Sequence, residues 1–185
     1  MRFYNHTNLE GLHAPFSPSQ PSWLRYDDEK LLEAHANKKA AEKGSELHEL
    51  AKKLIDLGIK LPRSNKTLNA YVNDAIGFKM STEVVLFYSE RFFGTTDAIS
   101  FTKKFLRIHD LKTGVTKAKM EQLMVYAALF CLEYKYKPSE LAGVELRIYQ
   151  NDGVEVCNPT ADEIQEVMNI IIRHDRLLEK YEEED

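Results

Sequence analysis

The 185-residue sequence is short of cysteine and of net positive charge, and each shortage removes a class of function. It has two cysteines, Cys131 and Cys157, without metal-type spacing, which excludes a thiolate metal centre and a disulfide scaffold. Cys131 lies in an apolar helical stretch and reads as core. No apolar run reaches the roughly 20 residues of a membrane span, and no basic-then-apolar leader opens the chain. The expected setting is a reducing cytoplasm with no membrane partner. Lys and Arg number 25 against 29 Asp and Glu, a net charge of −4, so any contact with nucleic acid must use a local patch. With 43% hydrophobic residues, enough remains to bury one sizeable core.

The pattern along the chain is mixed. A Pro- and Ser-rich entry segment, residues 1–26, precedes a single domain, 27–185. Ser17 or Ser19 is placed to cap a short helix starting near Gln20. A helix is expected from Asp27 to about Leu57, with Gly58 as its stop; Gly44 inside it marks a break or a close approach. A shorter helix spans Lys66 to Ile76. The period then changes to that of strands: Glu83–Ser89, Arg91–Phe101 and Phe105–Thr113. A helix from Lys117 to Tyr136 follows. Two strands around Asn151–Gly153 form a hairpin. Thr160 and Glu163 make a capping box for a last helix, which ends in an acidic tail. This order gives an α/β fold: a central mixed sheet flanked by helices, in α-βββ-α-β order.

The segment RIHDLKTG, residues 107–114, carries the chemistry. Asp110 and Lys112 are two apart on a strand and share a face. If the preceding hairpin turns on Lys103 and Lys104, paired residue numbers sum to 207, and Asp97 stands opposite Asp110. Facing residues in an antiparallel pair have Cβ atoms roughly 4.5–5.5 Å apart. Two carboxylates that close repel unless a cation lies between them. Carboxylate oxygens suit magnesium or manganese, which take one or two protein carboxylates, water and phosphate oxygens. Such a centre activates water against a phosphoester, and a nearby lysine stabilises the charge that builds up.

These residues give the sequence its family likeness. GTTDAI (94–99) followed by IHDLKTG (108–114) resembles the split Asp…Asp-x-Lys core of the PD-(D/E)XK nucleases. GSELH (44–48) resembles the G-x-x-x-H motif of the RecB-like exonuclease branch, and QLMVY (122–126) its Q-x-x-x-Y. The four motifs keep the family's order over nearly half the chain, and the tone of the site region suggests a phage-encoded member. The resemblance implies a restriction-endonuclease-like fold and a metal-dependent DNA exonuclease that leaves a 5′ phosphate. It implies His48, Asp97, Asp110 and the Leu111 carbonyl as ligands of Mg2+ or Mn2+, with Lys112 acting on the attacking water. Gln122 and Tyr126 would contact the DNA strand or brace the metal site. Glu83 is a candidate accessory acid for a second metal, in competition with Glu90. The SPS stretch containing Ser17 and Ser19 resembles the entry segment of these nucleases. Lys117 and Lys119, with Lys103 and Lys104, could supply a basic patch. Two cysteines cannot supply the iron–sulfur cluster of the CRISPR-adaptation relatives, and no helicase motif is present.

The implied partners are linear DNA ends and a single-strand annealing or recombination protein, with monomer and homo-oligomer both open. Other readings stay open beside this one: a structure-selective endonuclease on the same fold, a DNA-end-binding partner with little activity, and a structural metal-binding domain. Taken singly, Asp110–Lys112 is a strand-end ion pair, His48 a helix-surface histidine, Gln122 a solvated residue and Tyr126 core.

Overall fold

A computed structural model describes residues 14, 16–18 and 21–184, so Ser19 and Gln20 lie outside the described residues. The chain divides into two compact units, 1–43 and 44–185. In the first, a one-turn 3-10 helix, Pro21–Arg25, leads into helix α1, Asp28–Asp56. The Asp27 carboxylate accepts from the Lys30 amide at 2.8 Å and caps α1. The Trp23 indole N–H donates to the Ser17 carbonyl at 3.1 Å, and Phe16 packs edge-on against the Trp23 ring.

The second unit starts inside α1 at Gly44. The helix does not break there. Gly44 is instead a close approach: a Cβ on it would lie 2.7 Å from Thr113 Oγ1. At Gly58, φ is +68°, and the amides of Gly58 and Ile59 reach back to the carbonyls of Ile55 and Leu54. This double reversal ends the helix and needs the left-handed backbone that glycine adopts freely.

Helix α2, Thr67–Gly77, precedes β1, Ser81–Ser89, β2, Phe92–Thr102, and β3, Phe105–Leu111. Helix α3, Glu121–Glu133, crosses to β4, Gly143–Gln150, which turns into β5, Gly153–Cys157; α4, Ala161–Glu184, follows. The five strands form one sheet in the order β1-β2-β3-β4-β5, with β3–β4 parallel and the other pairs antiparallel. This is a mixed sheet flanked by helices. Both two-residue hairpin turns, Lys103–Lys104 and Asn151–Asp152, have φ between +51° and +61°, the geometry whose twist matches the strands. The β2–β3 register is the expected one, Phe101 facing Leu106 and Ala98 facing His109.

Two apolar layers hold the sheet. On one face Leu106, Ile108, Leu146 and Ile148 pack under α3 and α4, against Leu123, Ala127, Phe130 and Ile164. On the other, Ala98, Leu111 and Tyr149 meet Ala51 and Ile55 of α1 and Tyr71, Val72 and Ala75 of α2. Each buried Leu or Ile is worth about 1.5–3 kcal/mol.

Several boundaries differ from the sequence expectation, each for a local reason. Strand β2 starts at Phe92 because Arg91 is drawn to Asp175 (2.9 Å) and Glu182 (2.7 Å) on α4. Glu182 thereby ties part of the acidic tail, and α4 stays helical to Glu184. Helix α3 starts at Glu121, not Lys117. The Gln150 side chain donates to the Thr116 carbonyl at 2.8 Å and accepts from the Ala118 amide at 3.0 Å, which holds the preceding segment as a loop.

Candidate active site

The regular pairing of β2 with β3 stops at Ala98–His109. Asp97 and Asp110 are the next residues in line, at the opening end of the ladder. The β1–β2 ladder also skips Asp97: Thr82 faces Ala98 and Val84 faces Thr96, but Glu83 is left unpaired with φ +48°. The side chains change faces here. Before Asp97, Phe92 and Gly94 face α3; after it, Ile99 and Phe101 do. A left-handed non-glycine residue costs about 1–3 kcal/mol and collects at functional positions. The irregularity gives Asp97 access to α1 as well as to β3.

Asp97 is held on both sides. Its Oδ2 accepts from the Leu111 amide at 2.8 Å and lies 3.5 Å from His48 Nδ1. Hydrogen bonding to Asp97 raises the His48 pKa above its ordinary value, against the lowering effect of burial. Asp110 is 3% exposed. Burial first, then the charge of Asp97, pushes its carboxyl up to about 6, while Lys112 and His48 pull it down. Lys112 Nζ is 3.2 Å from Asp110 Oδ1 in a hydrogen bond and 3.0 Å from Oδ2. The second contact is not aligned for bonding, so Oδ2 remains buried without a hydrogen-bond partner.

Helix α3 supplies the opposite wall. Gln122 Oε1 accepts from Lys112 Nζ at 3.0 Å, and Gln122 Nε2 is 3.4 Å from the Tyr126 hydroxyl. That hydroxyl donates to the Thr95 carbonyl at 2.8 Å. Gly94 makes room for the ring: a Cβ there would lie 2.9 Å from Tyr126 Cε1. Leu123, Ala127 and Phe130 point instead into the core. A cleft of about 340 Å³ opens beside Lys112, bordered by Leu47, Lys66, Leu68, Thr113 and Asn151.

The structure therefore brings together His48, Asp97, Asp110, Lys112, Gln122 and Tyr126, with the Leu111 backbone next to Asp97. Glu83 sits at this end of the sheet, bonded to Lys52. Glu90 lies in the β1–β2 turn, seven residues along, about 20 Å away at strand rise. The basic patch does not form as expected. Lys103 and Lys104 occupy the far end of the β2–β3 hairpin, about 20 Å from the acids. Lys117 and Lys119 are exposed loop residues rather than helical ones, and Lys117 lies 3.5 Å from Glu155 of β5. Ser17 belongs to the first unit, where its carbonyl serves Trp23. Lys52 and Thr95 were missed. Lys52 was findable, since it follows His48 by one helical turn; Thr95 contributes only a backbone carbonyl.

Among the described residues, no three His, Cys, Asp or Glu side chains enclose an ion by themselves. The donors nevertheless fit a hard divalent cation. Asp110 Oδ2 is buried without a hydrogen-bond partner, with the Lys112 ammonium 3.0 Å away, Asp97 is adjacent, and such ions need only one or two protein carboxylates when water and phosphate complete the shell.

Fold and cluster define a class: an α/β protein with a five-stranded mixed sheet carrying an acid–lysine–imidazole centre at one strand end. The chain belongs to a family described as a protein of unknown function, DUF2800, whose model matches residues 79–175. The match covers Glu83, Asp97, Asp110, Lys112, Gln122 and Tyr126, while His48 and Lys52 come from the helix before it. No curated protein and no solved structure matches the chain. Among the described residues, no helix is long and apolar enough to cross a membrane.

Proposed function

We propose that this chain is a metal-dependent DNA exonuclease of the RecB-like PD-(D/E)XK type. The observation that carries the reading is the pair Asp97 and Asp110 at the opening of one ladder, with a buried unpartnered oxygen on Asp110 and Lys112 beside it. Lys112 balances the charge of Asp110 while hydrogen-bonding only its other oxygen, which leaves Oδ2 available to a cation.

Asp97 and Asp110 would hold Mg2+ or Mn2+, with His48 and the Leu111 carbonyl as the further ligands the nuclease resemblance implies; the ion when bound lowers the pKa of water and offsets charge on the phosphate. Lys112 orients the attacking water and stabilises charge on the non-bridging oxygens. Gln122 fixes the ammonium of Lys112 by accepting from it. Tyr126, tied to the Thr95 carbonyl, holds α3 against β2, so that this wall keeps its position as the strand binds. The cleft beside Lys112 leaves room for the strand. The partner implied is linear DNA, in recombination or replication together with a single-strand annealing protein.

The test is digestion of end-labelled linear and closed circular DNA with Mg2+ or Mn2+, with an EDTA control. Loss of the linear form alone, abolished by EDTA, is expected. Nicking of the circle would replace the exonuclease with an endonuclease. No cleavage of either, or full activity in EDTA, would overturn the reading.

A further inference from the structure

Helix α1 presents His48 and Lys52 one turn apart, on one face. They meet two carboxylates on neighbouring strands. His48 Nδ1 is 3.5 Å from Asp97, and the Lys52 ammonium is hydrogen-bonded to Glu83 Oε2. Glu83 lies between residues that face Ala98 and Thr96, so its place in β1 is beside Asp97. By strand position, Glu83, Asp97 and Asp110 thus follow one another across three adjacent strands. Lys112 lies against the last of them and Lys52 against the first.

A row of three carboxylates could take two divalent ions about 3.5–4 Å apart, sharing the middle acid, as two-metal phosphodiesterases do. Here the outer position at Glu83 already has a cation of the protein's own. We propose that Lys52 is a positioning residue that stands in for a second metal ion and holds this centre to one. The inference rests on the nuclease reading. An ammonium donates hydrogen bonds and balances the charge of Glu83, but it cannot accept a water or phosphate oxygen as a ligand. A divalent ion approaching Glu83 meets a unit positive charge within a few ångströms. At that range the repulsion is large enough to weaken binding tenfold or more. A plain surface ion pair pinning α1 to β1 would have no such effect on metal stoichiometry.

The test is calorimetric titration of the full chain with Mn2+ alone, alongside melting curves. Lys52 and Glu83 have side chains 38% and 47% exposed, so their variants should fold, and the melting curves check that. Wild type is expected to bind one ion. Lys52→Met should gain a second site, at least tenfold tighter than any second site in wild type, with the first unchanged. Lys52→Arg, which keeps the charge, should behave as wild type, and Lys52→Met/Glu83→Gln should return to one ion. A single site in Lys52→Met, or two comparable sites in wild type, would overturn the inference and leave the nuclease reading standing. No Mn2+ bound by wild type would overturn both.

Discussion

Two polar clusters sit on the strands of this sheet, and they are built in opposite ways. Under α2, Arg107 and Arg147 are matched by Glu145 and Asp74: Arg147 reaches Asp74 at 2.9 Å and Glu145 at 3.1 Å, and Arg107 reaches Glu145 at 3.2 Å. Tyr149 adds a hydroxyl to Asp74 at 2.7 Å, and Phe78 stacks against both guanidinium groups. The buried His109 stays neutral, its pKa pushed down to about 3 by burial and then by the two arginines. Two cations face two anions, and the cluster is balanced. At the candidate site, three carboxylates, Glu83, Asp97 and Asp110, face two ammonium groups, Lys52 and Lys112, with the His48 imidazole 3.5 Å from Asp97. In the cluster under α2 each partly buried charge already has its counter-charge within the fold. A surplus of acids over ammonium groups beside an open cleft is what the proposed cation site requires.

The largest effect that would break this contrast is the loss of cleavage in Asp110→Asn. The amide is nearly isosteric but lacks the charge that holds the cation, so the rate should fall about 10⁴-fold, roughly 5 kcal/mol of barrier. Single-turnover assays on linear DNA check it. Near-wild-type cutting would remove Asp110 from the site.

The next effect is acid lability from His109. Its folded pKa of about 3 lies below the unfolded value near 6.5. The unfolded chain therefore binds more protons in that window. Stability is complete above pH 6.5 and is lost as pH falls towards 3, by up to about 5 kcal/mol. Denaturant titrations across pH should show this slope in wild type and a flatter one in His109→Gln. Asp110 works the other way. Its carboxyl titrates at about 6 folded against about 3.9 unfolded, so stability falls as pH rises through that range. Without metal at pH 7, Asp110→Asn should be more stable than wild type by about 2–3 kcal/mol, whereas a substitution in the balanced cluster should destabilise.

Tyr126→Phe comes third. It removes one hydroxyl from a half-buried ring, so stability should change by under about 1 kcal/mol, while cleavage falls about tenfold as the α3 wall loosens. Unchanged cleavage with a lowered melting temperature would make Tyr126 purely structural. The smallest effect belongs to Lys117 and Lys119. With Lys117 near Glu155, converting both to Ala should lower DNA affinity less than tenfold and reduce the salt slope by one to two. A larger change would restore the basic patch that the fold has pulled apart.

The candidate site was legible in the sequence where it lies on regular elements. The 207 register follows from one symmetric turn and holds as far as Ala98–His109, one pair short of Asp97 and Asp110. Gln122 and Tyr126 share a face because helix spacing dictates it. The start of α3 was not legible, because it depends on one distant side chain, Gln150, satisfying loop backbone around residues 116–118. Lys52–Glu83 was hidden for the same reason: 31 residues separate the partners, and neither local sequence announces the other. The kink at Glu83 has no glycine to signal it.

The central claim is that Asp110 Oδ2 is kept open for a hard cation. Anomalous diffraction from crystals grown with Mn2+ and a short DNA duplex tests it most directly. A manganese peak is expected between Asp97 and Asp110, about 2.1 Å from Asp110 Oδ2, with a phosphate oxygen in its shell and Lys112 beside it. Density with no peak there, and Lys112 still paired to Asp110 in the presence of Mn2+ and DNA, would contradict it.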